Sequence, residues 1–423
     1  MSFGPVRQQL QWVPRDLEEA VSQGHPARAI WGLLENLDLS CFYGSIKAVV
    51  NRPGRPTTDP QVLLAVWLLG TVEGVGSARR LARLCEEHDA YRWLCGGVPI
   101  NYHMLSDFRV VHQAALEDLL TQIVASLMAA GAVTLERVAQ DPPEADGCGR
   151  APEPPPSGGG RGWKAAWRRR GPKWCRLAQE REHPDPGVSQ RAQRARERAS
   201  REREERVEQA VAYLPQAQAK KERQLHTKAT AQRSKVSAAR VSTTDPQARV
   251  MKMPDGGFRP AYNVELATDS AKGIIVGVAV TSAGTDAGQA APMKEQVVKR
   301  TGQHPKSYLI DGGFATREDI TALEQRTVTV YAPVRLPRNR PEQERYQPRY
   351  EDGPEVVQWR QRMSTEEAKA VYRQRGSVAE WTNAQVRLHG VSQFTVRGLA
   401  KITSVMLLVA VAHNFLRWGA LMV

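Results

Sequence analysis

Paired cysteines, long apolar runs and aromatic residues are all scarce in this chain of 423 residues. The five cysteines (Cys41, Cys85, Cys95, Cys148, Cys175) contain no Cys-x-x-Cys pair and are odd in number, which argues against a disulfide framework and a zinc ribbon. His304 and His413 have no Cys or His nearby in sequence, so a zinc role is not expected. The N-terminus, with Arg7 among polar residues, shows no apolar export core and no small-residue cleavage site. A cytoplasmic location is expected. The one membrane candidate, residues 402 to 423, has an unbroken apolar core of only eight residues, Val405 to Ala412. Spanning needs about 18 or more, so a buried helix and no membrane partner are expected.

What is abundant is basic charge. The 59 Lys/Arg against 45 Asp/Glu give +14 and point to a polyanionic partner. That excess is local: residues 1 to 130 carry 11 basic and 13 acidic side chains (net −2), whereas residues 142 to 250 carry 24 and 13 (net +11).

Residues 60 to 130 place Val62, Leu63, Val66, Leu69, Leu81, Leu84, Leu116, Leu120, Ile123 and Leu127 at helical spacing. A helical N-terminal domain over about 1–130 is expected. Within it the turn Gly74-Val-Gly76 leads into a helix presenting Arg79, Arg80 and Arg83. That helix reads either as a helix-turn-helix-like DNA reader or as a solvated face. Residues 179 to 240, dense in Arg, Glu and Ala, predict long helices with i,i+4 pairs: a basic arm along DNA, or a solvated coiled-coil hairpin. Beyond them strands at 262–268, 273–281, 308–311 and 328–331 alternate with helices at about 288–300 and 316–325, which predicts a mixed α/β sheet.

Three carboxylates stand out. Asp141 and Asp311 each close a short apolar strand, and Glu380 lies in a later helical pattern. Each has a plain alternative: Asp311 before Gly312-Gly313 as a turn former, Asp141 before Pro142-Pro143 as a strand terminator, Glu380 as an exposed helix carboxylate. Jointly, they are what a site for two divalent cations acting on a phosphodiester requires, with metals about 4 Å apart held by shared carboxylates.

Several stretches resemble bacterial insertion-sequence transposases of the DDE class. Arg79-Arg80-Leu81 through Leu94 is similar to that family's helical N-terminal domain; Thr244 to Lys252, Gly256 to Val264, Asp311-Gly-Gly-Phe-Ala315 and Ala379-Glu-Trp-Thr-Asn-Ala384 resemble its catalytic blocks. Arg397-Gly-Leu-Ala-Lys401 through Arg417 resembles its closing helix. The resemblance implies an α+β chain: a helical DNA-binding domain, then a ribonuclease-H-like catalytic domain (131–423) interrupted by a basic linker and helical insertion at 142–250. It also implies Asp141, Asp311 and Glu380 as catalytic and metal-binding residues, two Mg²⁺ or Mn²⁺ ions, double-stranded DNA (transposon ends and target) as partner, and self-association. The family signature Tyr, two residues, Arg, three residues, Glu, six residues, Lys is met by Tyr372, Arg375, Glu380 and Arg387 with two departures. Four residues separate Arg375 from Glu380, turning Arg375 by one helical step of about 100°, and Arg387 replaces Lys. Arg375 and Arg387 join Arg79, Arg80 and Arg83 as candidate DNA contacts.

Asp245, Asp255, Asp269 and Asp286 are rival carboxylates, with Asp245 the substitute first ligand. Residues 142 to about 178, rich in Pro and Gly, fit neither a core nor the family; read as two compensating frameshifts, they would make this copy a decayed one. The resemblance thus leaves two readings: a transposase that cleaves ends and transfers strands, or an inactive DNA-binding derivative.

Overall fold

Among the described residues, the apolar periodicity of the first third folds as seven helices: α1 (Pro26–Glu35), α2 (Ser40–Tyr43), α3 (Pro60–Val72), α4 (Ala78–Glu87), α5 (Asp89–Cys95), α6 (Tyr102–Val111) and α7 (Gln113–Ala129). This is a computed structural model, and it describes residues 16–44, 57–143, 190–226, 239–253, 256–325, 328–336, 340–391 and 394–421. α3 is buried along almost its whole length, and the indole of Trp67 donates to the Leu105 carbonyl at 3.0 Å, tying α3 to α6.

The chain continues through β1 (Arg137–Asp141), α8 (Gln190–His226), β2 (Arg249–Lys252), β3 (Phe258–Ala261), β4 (Asn263–Asp269), β5 (Ile274–Thr281), α9 (Ala290–Thr301), β6 (Ser307–Ile310), α10 (Arg317–Glu324), β7 (Thr329–Tyr331), α11 (Pro354–Ser364), α12 (Glu366–Val386) and α13 (Leu399–Leu421). Five strands form one sheet in the order β5-β4-β1-β6-β7. β5, β4 and β1 run antiparallel, while β6 and β7 add in parallel on the other side of β1. This is the mixed sheet of an α+β fold that the alternation of strands and helices predicts. β1 and β4 are neighbours in space, yet 121 residues (142–262) lie between them in sequence, and these include the basic insertion and the β2–β3 hairpin. Within the insertion, Val207 and Ala210 of α8 are buried and the Arg249 guanidinium lies 3.4 Å from the Tyr213 ring centre. The anomalous run lies, from residue 144 to 189, outside the described residues.

One buried apolar cluster runs from Val21 to Phe415, so helices and sheet share a core across the boundary near residue 130. α13 is its hinge pin, packed against α7, α3 and β5. It is long and apolar enough to cross a membrane (mean hydropathy 1.7), but its most apolar stretch is 67% buried inside the protein. Each fully buried Leu, Ile or Val there contributes about 1.5–3 kcal/mol.

The polar residues that interrupt α13 have defined tasks. Asn414 accepts from the Ile275 N–H and donates to the Ile275 carbonyl, both at 2.8 Å, and His413 lies 2.8 Å from the Gly273 carbonyl. From α9, Gln296 repeats the double bond on Val278 (2.8 and 2.9 Å), and Arg300 donates to the Val276 carbonyl at 2.6 Å.

Candidate active site

Strand register brings the two aspartates together. β1 and β6 are parallel with Gln140 opposite Ile310, so Asp141 and Asp311 follow side by side at the carboxyl ends of these strands. β1 lies inside the sheet, between antiparallel β4 and parallel β6, so both aspartates stand at one end of the sheet, in the crevice between that end and α12. Asp311 also behaves as the turn former its Gly-Gly sequence suggests. Its Oδ1 takes the Gly312 N–H at 2.5 Å, its carbonyl takes the Phe314 N–H at 3.0 Å, and buried Phe314 anchors the turn.

α12 covers the crevice. Thr365 caps its start by accepting the Ala368 N–H, with Glu366 and Glu367 in the first turn where the helix dipole favours them. Two of its side chains grip Asp141: Arg375 Nη1 donates to Oδ1 at 2.6 Å and Asn383 Nδ2 donates to Oδ2 at 2.9 Å. Arg375 Nη2 also lies 3.8 Å from Asp311 Oδ1, so one guanidinium bridges both aspartates. The Asp141 side chain is 20% exposed, Arg375 16% and Asp311 51%, a half-sheltered pocket that solvent reaches from the Asp311 side. Burial raises the Asp141 pKa above its ordinary value, against the pull of the Arg375 charge. Burial is the largest single influence and opposes the Arg375 charge as well, but Asp141, Tyr372 and Asp311 together outweigh it and raise the Arg375 pKa.

Glu380 is on the same helix but does not join the pair. It is exposed, and its Oε1 lies 3.6 Å from the point a side chain on Gly376 would occupy, so it points back along the helix. Among the described residues no three His, Cys, Asp or Glu side chains converge as a metal cage. The donor chemistry of Asp141 and Asp311 does fit a hard divalent cation, since both present carboxylate oxygens to a single positive group. Glu380 precedes Asn383 by three residues, hence one helical turn and about 5–6 Å away. Arg375 and Glu380 are five residues apart on α12, so their side chains leave the helix about 140° apart, and it is Arg375 that lies over the aspartates. Arg387 is exposed at the C-terminal end of α12.

The described rival carboxylates have other partners, although Asp286 borders the turn after Asp311, its Oδ2 2.5 Å from the point a side chain on Gly313 would occupy. Asp245 is buried and accepts from the Tyr262 hydroxyl (2.8 Å) and the Gly398 N–H (3.0 Å). Asp269 accepts the Leu135 and Ala271 N–H groups, fixing the turn into β1 where Leu135 has φ 54°. Asp286 accepts from Asn263 at 3.0 Å, and Asp255 lies outside the described residues.

Two features escaped the sequence reading. Asn383 was visible only as part of a block, although a polar residue on the buried face shared with Ala379, Thr382 and Val386 was the available signal. Behind Asp141, Gln140 donates to fully buried Glu265, Tyr308 donates to Gln140 at 2.8 Å, and Asn263 donates to Glu265 at 2.9 Å. Burial pushes Glu265 up to about 8, so its carboxyl is mostly protonated at neutral pH. Nothing in a strand residue flanked by Val264 and Leu266 signalled that.

In the helical region Ser77 caps α4. Arg79, Arg80 and Arg83 are exposed, with the Arg79 guanidinium 5.1 Å from the Tyr102 ring centre.

Two family matches accompany this geometry. The family described as "Transposase domain (DUF772)" matches residues 15–110, the helical region, and the family described as "Transposase DDE domain" matches residues 339–418, which hold α11, α12 and most of α13. No curated protein and no solved structure matches the chain.

Proposed function

We propose, from the premise that this chain is a DDE transposase of the insertion-sequence type, that it cleaves DNA at transposon ends and joins the freed 3′-hydroxyl to target DNA at the Asp141–Asp311 crevice. The observation that carries this reading is the convergence of two strand-end carboxylates on one positive group. The family normally uses divalent metal ions. Asp141 and Asp311 would hold such an ion, and Glu380 would complete a second position after a change in its side-chain direction. The chemistry such ions would supply there is activation of the attacking oxygen and stabilisation of the leaving one. Asn383 holds Asp141 in place by its 2.9 Å bond, and Arg375 compensates the aspartate charges. Arg387 is suited to hold phosphate, and Arg79, Arg80 and Arg83 to contact DNA from the helical region. Pairing of two ends calls for at least a dimer.

A second reading has its own observation. With Arg375 between the aspartates and Glu380 turned away, the site also suits an inactive derivative that binds ends without cutting them. Both are tested with DNA carrying the element's own ends, assayed with Mg²⁺ or Mn²⁺. Cutting by the wild type, abolished in Asp311→Asn while end binding persists, is the expected result. Cutting by Asp311→Asn at the wild-type rate would remove the assignment, and binding without cutting by the wild type selects the inactive derivative.

A further inference from the structure

Away from the carboxylates, a cavity of about 420 Å³ opens where the helical region meets the far end of α12. Its size lies within the 300–1,000 Å³ usual for small-molecule sites. Its walls come from α3, the Gly74–Ser77 turn with the start of α4, α6, the turn after α12, and α13.

One wall is positive. Arg80 comes from the first turn of α4 and Arg109 from α6, and among the described residues no acidic side chain lines the cavity. Arg109 is only 7% exposed; it lies 4.0 Å from the Trp67 ring centre, donates to the Gly76 carbonyl at 3.2 Å, and is pushed down to about 10 by burial. His389, also 7% exposed, lines the same space; neither of its ring nitrogens completes a hydrogen bond, and burial holds its pKa below the ordinary value against the pull of the Val72 and Thr71 backbone. A structural role for Arg109 explains its contacts with Trp67 and Gly76. It leaves unexplained why a desolvated cation and an unsatisfied imidazole face one cavity with no carboxylate among the described lining residues, an arrangement that is costly unless an anion that accepts from both completes it. The N-terminus of α4 adds partial positive charge from the same side. The opposite wall, with Phe394, Leu408 and Val409, is apolar.

We propose that this cavity binds a phosphate monoester carrying a flat, partly apolar body of nucleotide size. The phosphate would lie against Arg80, Arg109 and His389, and the body against Phe394 and Leu408. A free nucleotide and a 5′-phosphorylated strand end share this chemistry. The occupant would touch both halves of the protein, because His389 and Gly390 belong to the turn ending α12, the helix whose Asn383 holds Asp141. That turn is already pressed on the helical region: Gly390, at φ 79°, has room only for hydrogen, since a Cβ there would stand 2.7 Å from the Gly74 carbonyl oxygen. The inference does not depend on whether the carboxylate site cleaves DNA.

The test is a calorimetric titration of the full chain with thymidine 5′-monophosphate, with thymidine, inorganic phosphate and a 5′-phosphorylated trinucleotide in parallel. Saturable binding of the monophosphate, about tenfold or more tighter than thymidine or phosphate alone (about 1.4 kcal/mol), is expected. Arg80→Glu, at an exposed residue, and His389→Leu, which removes a buried unsatisfied ring and so should fold at least as well, should each weaken it about tenfold or more. Saturable binding of the trinucleotide alone, with the same loss in His389→Leu, assigns the cavity to a strand end. The proposal is overturned if neither monophosphate nor trinucleotide binds saturably, or if both variants bind like the wild type.

Discussion

Replacing Arg375 by Gln removes the positive group between Asp141 and Asp311 while keeping most of the side chain's length. The side chains of Arg375 and Asp141 are 16% and 20% exposed, between the surface case, where a pair contributes about 0–1 kcal/mol, and the buried case, where removing one partner costs about 3–5 kcal/mol. Without added metal the variant should therefore lose roughly 1–3 kcal/mol, because Asp141 keeps only the Asn383 bond and now faces Asp311 unscreened. A divalent cation should reverse this. In the wild type it must displace the guanidinium, whereas in the variant it meets two uncompensated carboxylates, and at a hundred times its Kd it would contribute about 2.7 kcal/mol. Thermal melting of both proteins with and without Mn²⁺ is the assay. The variant should melt lower in the absence of metal and gain more from Mn²⁺ than the wild type. An equal or smaller gain would refute the idea that Arg375 stands where a cation belongs.

Other outcomes follow from single contacts. Asn414→Ala deletes both bonds to Ile275 inside the core and should cost about 2–4 kcal/mol in urea denaturation; a loss below about 0.5 kcal/mol would show that the contact does not hold α13. Glu265 has a folded pKa of about 8, above its unfolded value of 4.5, so its contribution is complete below pH 4.5 and is lost as pH rises through about 8. Glu265→Gln should therefore flatten the decline of stability between pH 4.5 and 8, and an unchanged pH profile would count against a protonated Glu265. Arg83→Ala, if Arg83 contacts a phosphate, should lower the slope of log K against log salt for end binding by about 1; an unchanged slope returns α4 to a solvated face.

The helices of residues 60 to 130 and the strands ending at Asp141 and Asp311 were legible because apolar spacing and strand-end polarity are local properties. The juxtaposition of Asp141 and Asp311 was legible only through the resemblance, since pairing of β1 with β6 joins residues 170 apart. α13 could be read as buried because polar residues cut its apolar run, but their targets on β5 could not, as a sequence records an interruption and not its partner. At the site, the count between Arg375 and Glu380 announced a rotation without its destination. That destination depends on how α12 lies across the sheet, which Thr382, Asn383 and Val386 decide by burial.

The double bonds of Asn414 and Gln296 to Ile275 and Val278, with Arg300 on Val276, have a consequence for assembly. β5 is an outermost strand, and an open strand flank is a template on which a second chain can add its own strand. Here side-chain amides and a guanidinium already occupy the peptide groups of Ile275, Val276 and Val278 on that flank. The sheet is terminated from within, and continuing it through these residues would first require α9 and α13 to let go. If pairing of two DNA ends brings in a second copy of this chain, that copy does not extend the sheet through Ile275, Val276 and Val278 while these bonds hold.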